Sequence, residues 1–154
     1  MEFIKLKELS KTNKEEVLNL WNNEYPEKLS YKTLQDFESY LENLAEQSHI
    51  LMINDKQELK GWYFDFMREN EKWFAIILDS KLHGKGLGTR ILHMAKEKEN
   101  VLCGWVIDHD SYRKKNGEIY RSPIEFYLKN GFKRLEKIRL ELEIISAVKI
   151  KWRK

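Results

Sequence analysis

The 154-residue sequence has a single cysteine, Cys103, and only two prolines. One cysteine excludes an internal disulfide and is typical of a reducing compartment. No apolar run approaches the roughly 20 residues that cross a bilayer. Residues 1–7 alternate in charge and lack the apolar stretch of a secretory signal. We therefore expect a cytoplasmic protein with no membrane segment.

What the chain does contain is typical of a globular protein, with 42% hydrophobic and 34% charged residues. The net charge is only +3, and lysines and arginines are interspersed with glutamates, which argues against a nucleic-acid partner. The exception is the basic stretch 149–154, for which we predict a last strand facing water. No repeat or Pro/Gly/Ser-rich linker divides the chain, so residues 1–154 are expected to form one domain.

Hydrophobic periodicity predicts a mixed α/β order of strand, two helices, three strands, helix, strand, helix and two strands. The first predicted helix is capped by Ser10 or Thr12 and ends at Tyr25, and the second begins at about Ser30. The third predicted helix runs from Leu87 to about Glu99, and the fourth covers residues 123–130. The first five predicted strands cover residues 3–9, 49–53, 59–67, 73–78 and 101–107. The last two are centred on the apolar alternations Ile138, Leu140, Leu142, Ile144 and Val148, Ile150, Trp152.

Three glycines, Gly84, Gly86 and Gly88, follow a predicted strand ending at Leu78 and lead into a predicted helix. Glycines let the backbone approach a ligand closely, and the free N–H groups of a helix's first turn bind anions. The loop therefore predicts a phosphate site. Neither the P-loop spacing nor the dinucleotide fingerprint is satisfied, which argues against ATP and NAD as its ligands.

Two segments resemble motifs of the GNAT N-acetyltransferase superfamily. The run His83-Gly84-Lys85-Gly86-Leu87-Gly88 is similar to motif A, Arg/Gln-x-x-Gly-x-Gly/Ala, with His83 where Arg or Gln is usual. The run Tyr127-Leu128-Lys129-Asn130-Gly131-Phe132 is similar to motif B, Tyr-x-x-x-Gly-Phe, some forty residues downstream. Both motifs occur in the family's order, and together with the order of strands and helices the resemblance covers nearly the whole chain.

The resemblance implies a GNAT acyl-CoA N-acyltransferase fold, a twisted, mostly antiparallel sheet of about seven strands flanked by about four helices. It implies acetyl-CoA as cosubstrate and transfer of its acetyl group to a primary amine. Leu78 N–H becomes a candidate oxyanion donor, and Tyr127 becomes the general acid that protonates the leaving thiolate. The implied coenzyme-binding residues are Ile76, Leu78, His83, Gly84, Lys85, Gly86, Leu87, Gly88 and Thr89.

The residues alone leave alternatives open for these roles. Tyr127 falls at helical spacing with Ile124 and Leu128, so it also reads as a core aromatic. The general base is not identified; candidates are a water chain and the side chains of Asp65, Glu71, Asp108 and His109. The chain also reads as a non-catalytic acetyl-CoA-binding or regulatory module, and a homodimer is left open.

By analogy, the acceptor pocket is walled by residues 25–31 and the aromatics of residues 62–66, with the acceptor itself unidentified. Glu24 and Glu27 favour a cationic acceptor or are merely solvated. Lys114 and Lys115 have two interpretations. They reach the coenzyme phosphates or the acceptor, or they belong to an exposed charged loop, which is the interpretation that we favour. The four histidines share no ligand spacing with Cys103, which we expect to be a core residue, so no metal site is predicted.

Overall fold

The structure, a computed structural model, describes residues 1–154 and contains seven strands and four α-helices in the predicted order. The strands are β1 (Glu2–Leu6), β2 (Ala45–Ile53), β3 (Leu59–Arg68), β4 (Glu71–Leu78), β5 (Val101–Val106), β6 (Lys133–Leu142) and β7 (Ile145–Arg153). The helices are α1 (Lys11–Glu24), α2 (Leu34–Glu42), α3 (Leu87–Lys98) and α4 (Ile124–Lys129).

All seven strands form one sheet in the order β1-β2-β3-β4-β5-β7-β6. Neighbouring strands are antiparallel except β4 and β5, which run parallel, so the expectation of a mostly antiparallel sheet is confirmed. Strand β4 pairs with β3 along its whole length, but with β5 only where Trp73 meets Cys103. Strands β4 and β5 therefore diverge beyond Trp73 and leave a gap in the middle of the sheet.

The two faces of the sheet carry separate hydrophobic cores. Side chains alternate along a strand, so Trp73 and Ile77 of β4 pack on the face covered by α1 and α2. Phe74 of the same strand packs on the opposite face with residues of α3 and α4. Phe37 of α2 and Leu92 of α3 are fully buried in these two cores. Their burial contributes about 2 kcal/mol each and holds the helices on their respective faces.

Side-chain caps decide where the first two helices begin. Ser10 caps α1 through a capping box with Asn13, as expected for one of the two predicted starts. Helix α2 begins at Leu34, about four residues later than predicted. The reason is that Thr33 supplies its cap, with Oγ1 accepting the backbone N–H three residues on at 3.1 Å. Residues 27–29 form a short 3-10 turn before it.

Strand β2 begins at Ala45, four residues before the predicted start. Its first residues, apart from Ala45, are polar and show no apolar alternation, but Ala45 and Ser48 still pair with β3 on either side of a bulge. Strand β1 ends at Leu6, so Leu9 is buried in the core without belonging to a strand.

Strand β6 exposes the apolar side chains predicted for one face. Ile138 is 45% and Leu142 is 58% exposed, although both lie in the predicted alternation. The cause is the position of β6 at the edge of the sheet, where its register with β7 shifts between Leu135 and Arg139.

The prediction that the last strand turns its basic residues to water is wrong for Lys149. Strand β7 lies between β5 and β6, and Lys149 is only 8% exposed. Its Nζ donates to Glu71 Oε1 at 2.8 Å, and Lys151 Nζ donates to Glu71 Oε2 at 2.5 Å. These two charged hydrogen bonds, with the larger contribution from Lys149, lower the pKa of Glu71 to about 2.

None of the four α-helices combines the length and the apolar composition needed to cross a membrane.

Candidate active site

A cavity of about 1000 Å³ opens where β4 and β5 diverge. Its wall includes side chains from both faces of the sheet, such as Trp73 on one face and Phe74 on the other. The cavity therefore passes through the sheet. The glycine loop lies at one end, and aromatic side chains around α1 and α2 lie at the other.

The glycine loop has the conformation that its glycines predict. Gly84 and Gly86 both have φ of +78°, a left-handed conformation that other residues adopt only with strain. The first helical hydrogen bond of α3 runs from Arg90 N to Gly86 O at 3.1 Å. The N–H groups of Leu87 and Gly88, together with that of the next residue, therefore lack partners within the helix and are available to an anion.

A third glycine, Gly88, is needed for packing instead. A Cβ at this position would lie 2.9 Å from Phe126 Cζ and 3.5 Å from Leu78 Cδ1. The absence of a side chain lets the start of α3 approach both α4 and the end of β4. This close approach positions the first turn of α3 at the wall of the cavity.

The structure brings most of the predicted coenzyme-binding residues into one wall. Lys85 is exposed and does not line the cavity, whereas the exposed His83 does. The predicted residues that line the cavity are Ile76, Leu78, His83, Gly84, Gly86, Leu87, Gly88 and Thr89.

The backbone of β4 presents hydrogen-bonding groups to the gap. Asp79 N donates to Lys60 O at 2.9 Å, toward the β3 side. Backbone groups alternate in direction along a strand, so the N–H and C=O groups of Ile76 and Leu78 point the other way, toward β5. Because β5 pairs with β4 only at Trp73, these groups face the gap without a strand partner.

Tyr127 of α4 lines the same cavity while most of its side chain is buried. Its ring packs at 5.8 Å from Phe74 and 5.5 Å from Phe132, measured between ring centres. The core interpretation and the catalytic one are thus compatible, because the ring is packed while the residue borders the cavity. Burial, with a smaller contribution from Tyr25, raises the pKa of Tyr127 well above its ordinary value. The phenol stays protonated at neutral pH.

Two further tyrosines, which the motifs did not indicate, line the cavity near Tyr127. Tyr25 follows α1, Tyr120 precedes α4, and their ring centres are 6.3 Å apart. Burial raises the pKa of each well above the ordinary value, and in Tyr25 the neighbouring Tyr120 adds to the effect. All three phenols are therefore protonated donors at neutral pH.

The far end of the cavity is an aromatic pocket on the face of α1 and α2. It consists of Trp21, Tyr25, Tyr31, Tyr40, Phe64, Phe66, Trp73 and Trp105. Trp21 lies at its centre, with ring-centre distances of 4.7 Å to Tyr25 and 5.5 Å to both Tyr31 and Tyr40. Trp21 Nε1 donates to Leu29 O at 2.9 Å, which fixes the ring. Part of this wall was predicted from residues 25–31 and 62–66, but Trp62 is fully buried and lies outside the cavity.

A buried ion pair joins two walls of the cavity. Lys114 Nζ lies 3.0 Å from Glu24 Oε1, and Glu24 Oε2 accepts the Ser80 N–H at 3.1 Å. The favoured prediction of an exposed loop is therefore wrong for Lys114, which is only 9% exposed, because its backbone pairs with Pro26 just after α1 and its side chain lines the cavity. Lys115 is exposed, as predicted, and so is Glu27. Since Glu24 is neutralised, it is neither solvated nor free to attract a cationic acceptor.

None of the four side chains considered as general base lines the cavity. Asp65 is buried elsewhere and accepts from Ser48 Oγ and Tyr63 Oη. The other three are similarly distant or occupied: Glu71 binds two lysines, Asp108 binds Arg139, and His109 packs on Tyr112.

Cys103 is fully buried, as expected of a core residue. Burial, with a smaller effect of Glu71, raises the pKa of its thiol to about 11. The thiol is therefore protonated and unreactive at neutral pH. No group of three or more His, Cys, Asp or Glu side chains is placed to hold a metal ion.

The same fold occurs in solved structures of acetyltransferases. An aminoglycoside 6'-N-acetyltransferase complexed with coenzyme A is similar at a TM-score of 0.70 and 14% identity, covering 99% of this chain and 97% of that one. An acyl-CoA N-acyltransferase from Pseudomonas aeruginosa has a TM-score of 0.71 and 13% identity, and the match covers 98% of each chain. A variant of spermidine N-acetyltransferase SpeG from Vibrio cholerae has a TM-score of 0.66 and 15% identity, and the match covers 99% of this chain and 95% of that one.

Neither a protein-family model nor a curated protein matches the chain. At these low identities, the structural likeness establishes the fold. The acyl-CoA N-acyltransferase fold predicted from the two motifs is therefore confirmed.

Proposed function

Starting from the acyl-CoA N-acyltransferase fold of the chain, we propose that it is an acetyl-CoA-dependent N-acetyltransferase. The observation that carries this proposal is the cavity in the gap between β4 and β5. One end is bounded by unpartnered N–H groups suited to phosphates, and the other end is a separate aromatic pocket. A pocket for a second substrate supports an enzyme over a module that only binds the coenzyme.

The chain offers matching surfaces for two parts of the coenzyme, its pyrophosphate and its pantetheine arm. The first-turn N–H groups of Leu87 and Gly88 would bind the pyrophosphate. The gap-facing backbone of Ile76 and Leu78 would pair with the pantetheine arm as a strand does. Acetyl-CoA supplies an acetyl thioester to this gap, and the amine attacks its carbonyl carbon directly in a ternary complex.

Two groups of the chain assist the transfer. Leu78 N–H stabilises the negative charge that develops on the carbonyl oxygen during attack. Tyr127 Oη donates to the sulfur as the C–S bond breaks, which stabilises the departing thiolate. The amine proton passes to water in the cavity, because the carboxylate of Glu24 is engaged by Lys114 and Ser80. The rate should then rise with pH as the acceptor amine loses its proton.

The test is thiol release from acetyl-CoA with a panel of primary amines, using the wild type and the Tyr127→Phe and Tyr120→Phe variants. Both variants lose one hydroxyl from the same cavity, so each controls for the other. We expect Tyr127→Phe to lower kcat by about 100-fold, the usual contribution of a general acid, with little change in acetyl-CoA affinity. Full activity in Tyr127→Phe together with loss in Tyr120→Phe would move the acid to Tyr120.

The cytoplasm remains our proposed location, consistent with one buried free thiol.

A further inference from the structure

The aromatic pocket is bordered at its solvent-exposed edge by an arginine without a counter-ion. The guanidinium carbon of Arg68, the last residue of β3, lies 4.9 Å from the ring centre of Phe66 and 5.4 Å from that of Trp73. Arg68 lines the cavity and takes part in none of the salt bridges of the chain. Its charge also lowers the pKa of Tyr40 slightly against the larger effect of burial, so the cation faces this wall of the pocket.

A second unsatisfied donor lies beside this cation. Trp73 Nε1 is buried and has no hydrogen-bond partner, although Trp73 lines the cavity. An indole N–H can only donate, and so can a guanidinium. Buried donors usually have partners, so an acceptor atom is the group that this corner of the pocket lacks.

The surrounding charges reinforce the same preference. Lys149 Nζ lies 4.9 Å from the ring centre of Trp73, and together with Lys151 it is paired to a single carboxylate, that of Glu71. Glu69, which follows Arg68 in the chain, also acts on Lys149. Arg68, Lys149 and Lys151 thus outnumber Glu71 and Glu69 by three charges to two.

The opposite wall does not reverse this balance. Glu24 is paired with Lys114, and the other carboxylate in the cavity wall, Glu118, is exposed and accompanied there by Arg121. A polyamine, which carries several positive charges, would find no free buried carboxylate in the cavity.

We propose that Arg68 and the indole N–H of Trp73 bind an anionic group, a carboxylate in the simplest case, on the amine acceptor. The acceptor is then an amine with an aromatic or apolar body and a remote carboxylate. The identification as acceptor rests on the acetyl transfer proposed above, whereas the anion subsite itself does not.

Strand geometry sets the spacing between the two ends of this acceptor. Ile76 and Leu78, whose N–H groups face the gap, lie three and five residues beyond Trp73 on β4. At about 3.3 Å per residue, these positions are about 10 and 16 Å from Trp73. The carboxylate and the amine of the acceptor are therefore separated by about 10 Å or more, which excludes an α-amino acid held through its own α-carboxylate.

The experiment uses the full chain and four primary amines. They are para-(aminoethyl)phenylacetate, its neutral primary amide, phenylalanine and spermidine. We measure kcat/KM for acetylation of each, and separately the binding of each by calorimetry in the presence of coenzyme A. The carboxylate should be favoured over its amide by about tenfold, mainly through KM, and over phenylalanine and spermidine by more.

The Arg68→Gln variant should lose this preference while its affinity for acetyl-CoA is unchanged. Arg153→Gln, which removes an exposed arginine outside the cavity, should keep the preference. Equal constants for the acid and the amide, or a preference that survives Arg68→Gln, would overturn the proposal.

The two proposals fail separately. If no amine is acetylated but the carboxylate probe still binds more tightly than its amide in an Arg68-dependent way, the anion subsite stands and the transfer function fails. If amines are acetylated without any dependence on the carboxylate or on Arg68, the transfer function stands and the anion subsite fails.

Discussion

The substitution Glu71→Gln tests the charged network that backs the aromatic pocket. Glu71 joins Lys149 and Lys151, and its loss would leave Lys149, 8% exposed, as a buried cation without a counter-ion. A pKa lowered from 4.5 to about 2 corresponds to about 3 kcal/mol of stabilisation at neutral pH. We therefore expect the free energy of unfolding in urea at pH 7 to fall by about 3 kcal/mol, in the range for breaking a buried pair.

The pH dependence separates this effect from a general loss of packing. The folded-state pKa of Glu71 lies below the unfolded value, so its stabilisation is complete above about pH 4.5 and is lost as the pH falls toward 2. The difference in the free energy of unfolding between wild type and Glu71→Gln should be constant from pH 7 to 5 and should shrink below pH 5.

His49 affects the stability of the fold in a higher pH range than Glu71. Burial lowers its pKa from 6.5 to about 4, against a smaller opposing effect of Asp65, so folding weakens as the pH falls from 6.5 to 4. This loss is common to the wild type and the variant and cancels in their difference. Glu136→Gln, at an exposed site without a salt bridge, is the control and should change stability by less than about 0.5 kcal/mol. The reasoning would be refuted if Glu71→Gln changed the free energy of unfolding as little as this control, or if its effect did not depend on pH down to pH 2.

Three further predictions concern the cavity and its surroundings. Gly86→Ala should weaken acetyl-CoA binding about tenfold by calorimetry, because its φ of +78° costs a residue with a Cβ about 1–2 kcal/mol; unchanged affinity would show that the loop is not the phosphate site. Lys114→Met should lower the free energy of unfolding by about 3 kcal/mol, and adding Glu24→Gln should restore part of that loss, whereas additive losses would mean that the pair is not coupled. Cys103 should react with a thiol reagent at pH 8 only as fast as the chain unfolds, because burial raises its pKa to about 11; rapid labelling of the folded protein would contradict this.

The parts of the structure that were predictable from sequence are those specified by neighbouring residues. The alternate glycines before α3 imply an unusual backbone, and Gly84 and Gly86 indeed have positive φ. The cap of α1 follows from Ser10 at the start of a periodic segment. The start of α2 was missed because Ser30 and Thr33 are both good caps, and the choice between them depends on tertiary contacts of the preceding turn.

The end of the cavity that contains Arg68 and Trp73 could not be predicted in the same way. Arg68 and Trp73 belong to two strands joined by a turn, and only their side-chain alternation in the sheet places both on the face of α1 and α2. Lys149 looked like a solvated tail residue, since its partner Glu71 is 78 positions away in the chain. Strand β5 lies between β4 and β7 in the sheet, and a single sequence gives no indication that a lysine of β7 reaches a glutamate of β4.

The alternation of β4 also places one strand beside both substrate sites of the proposed transfer. Phe74, Ile76 and Leu78 direct their side chains to the face of α3, where the glycine loop lies. Trp73, Ala75 and Ile77 direct theirs to the face of α1 and α2, which carries the aromatic pocket.

Only the backbone of this strand is accessible from both faces, and it is accessible only where β5 has separated from it. The proposed acetyl transfer is therefore confined to the few residues between Trp73 and Leu78. Closing the gap by additional pairing of β4 with β5 would remove the free N–H groups and separate the two substrates at the same time. The divergence of these two strands is thus the structural requirement that the proposed coenzyme site and the proposed acceptor site share.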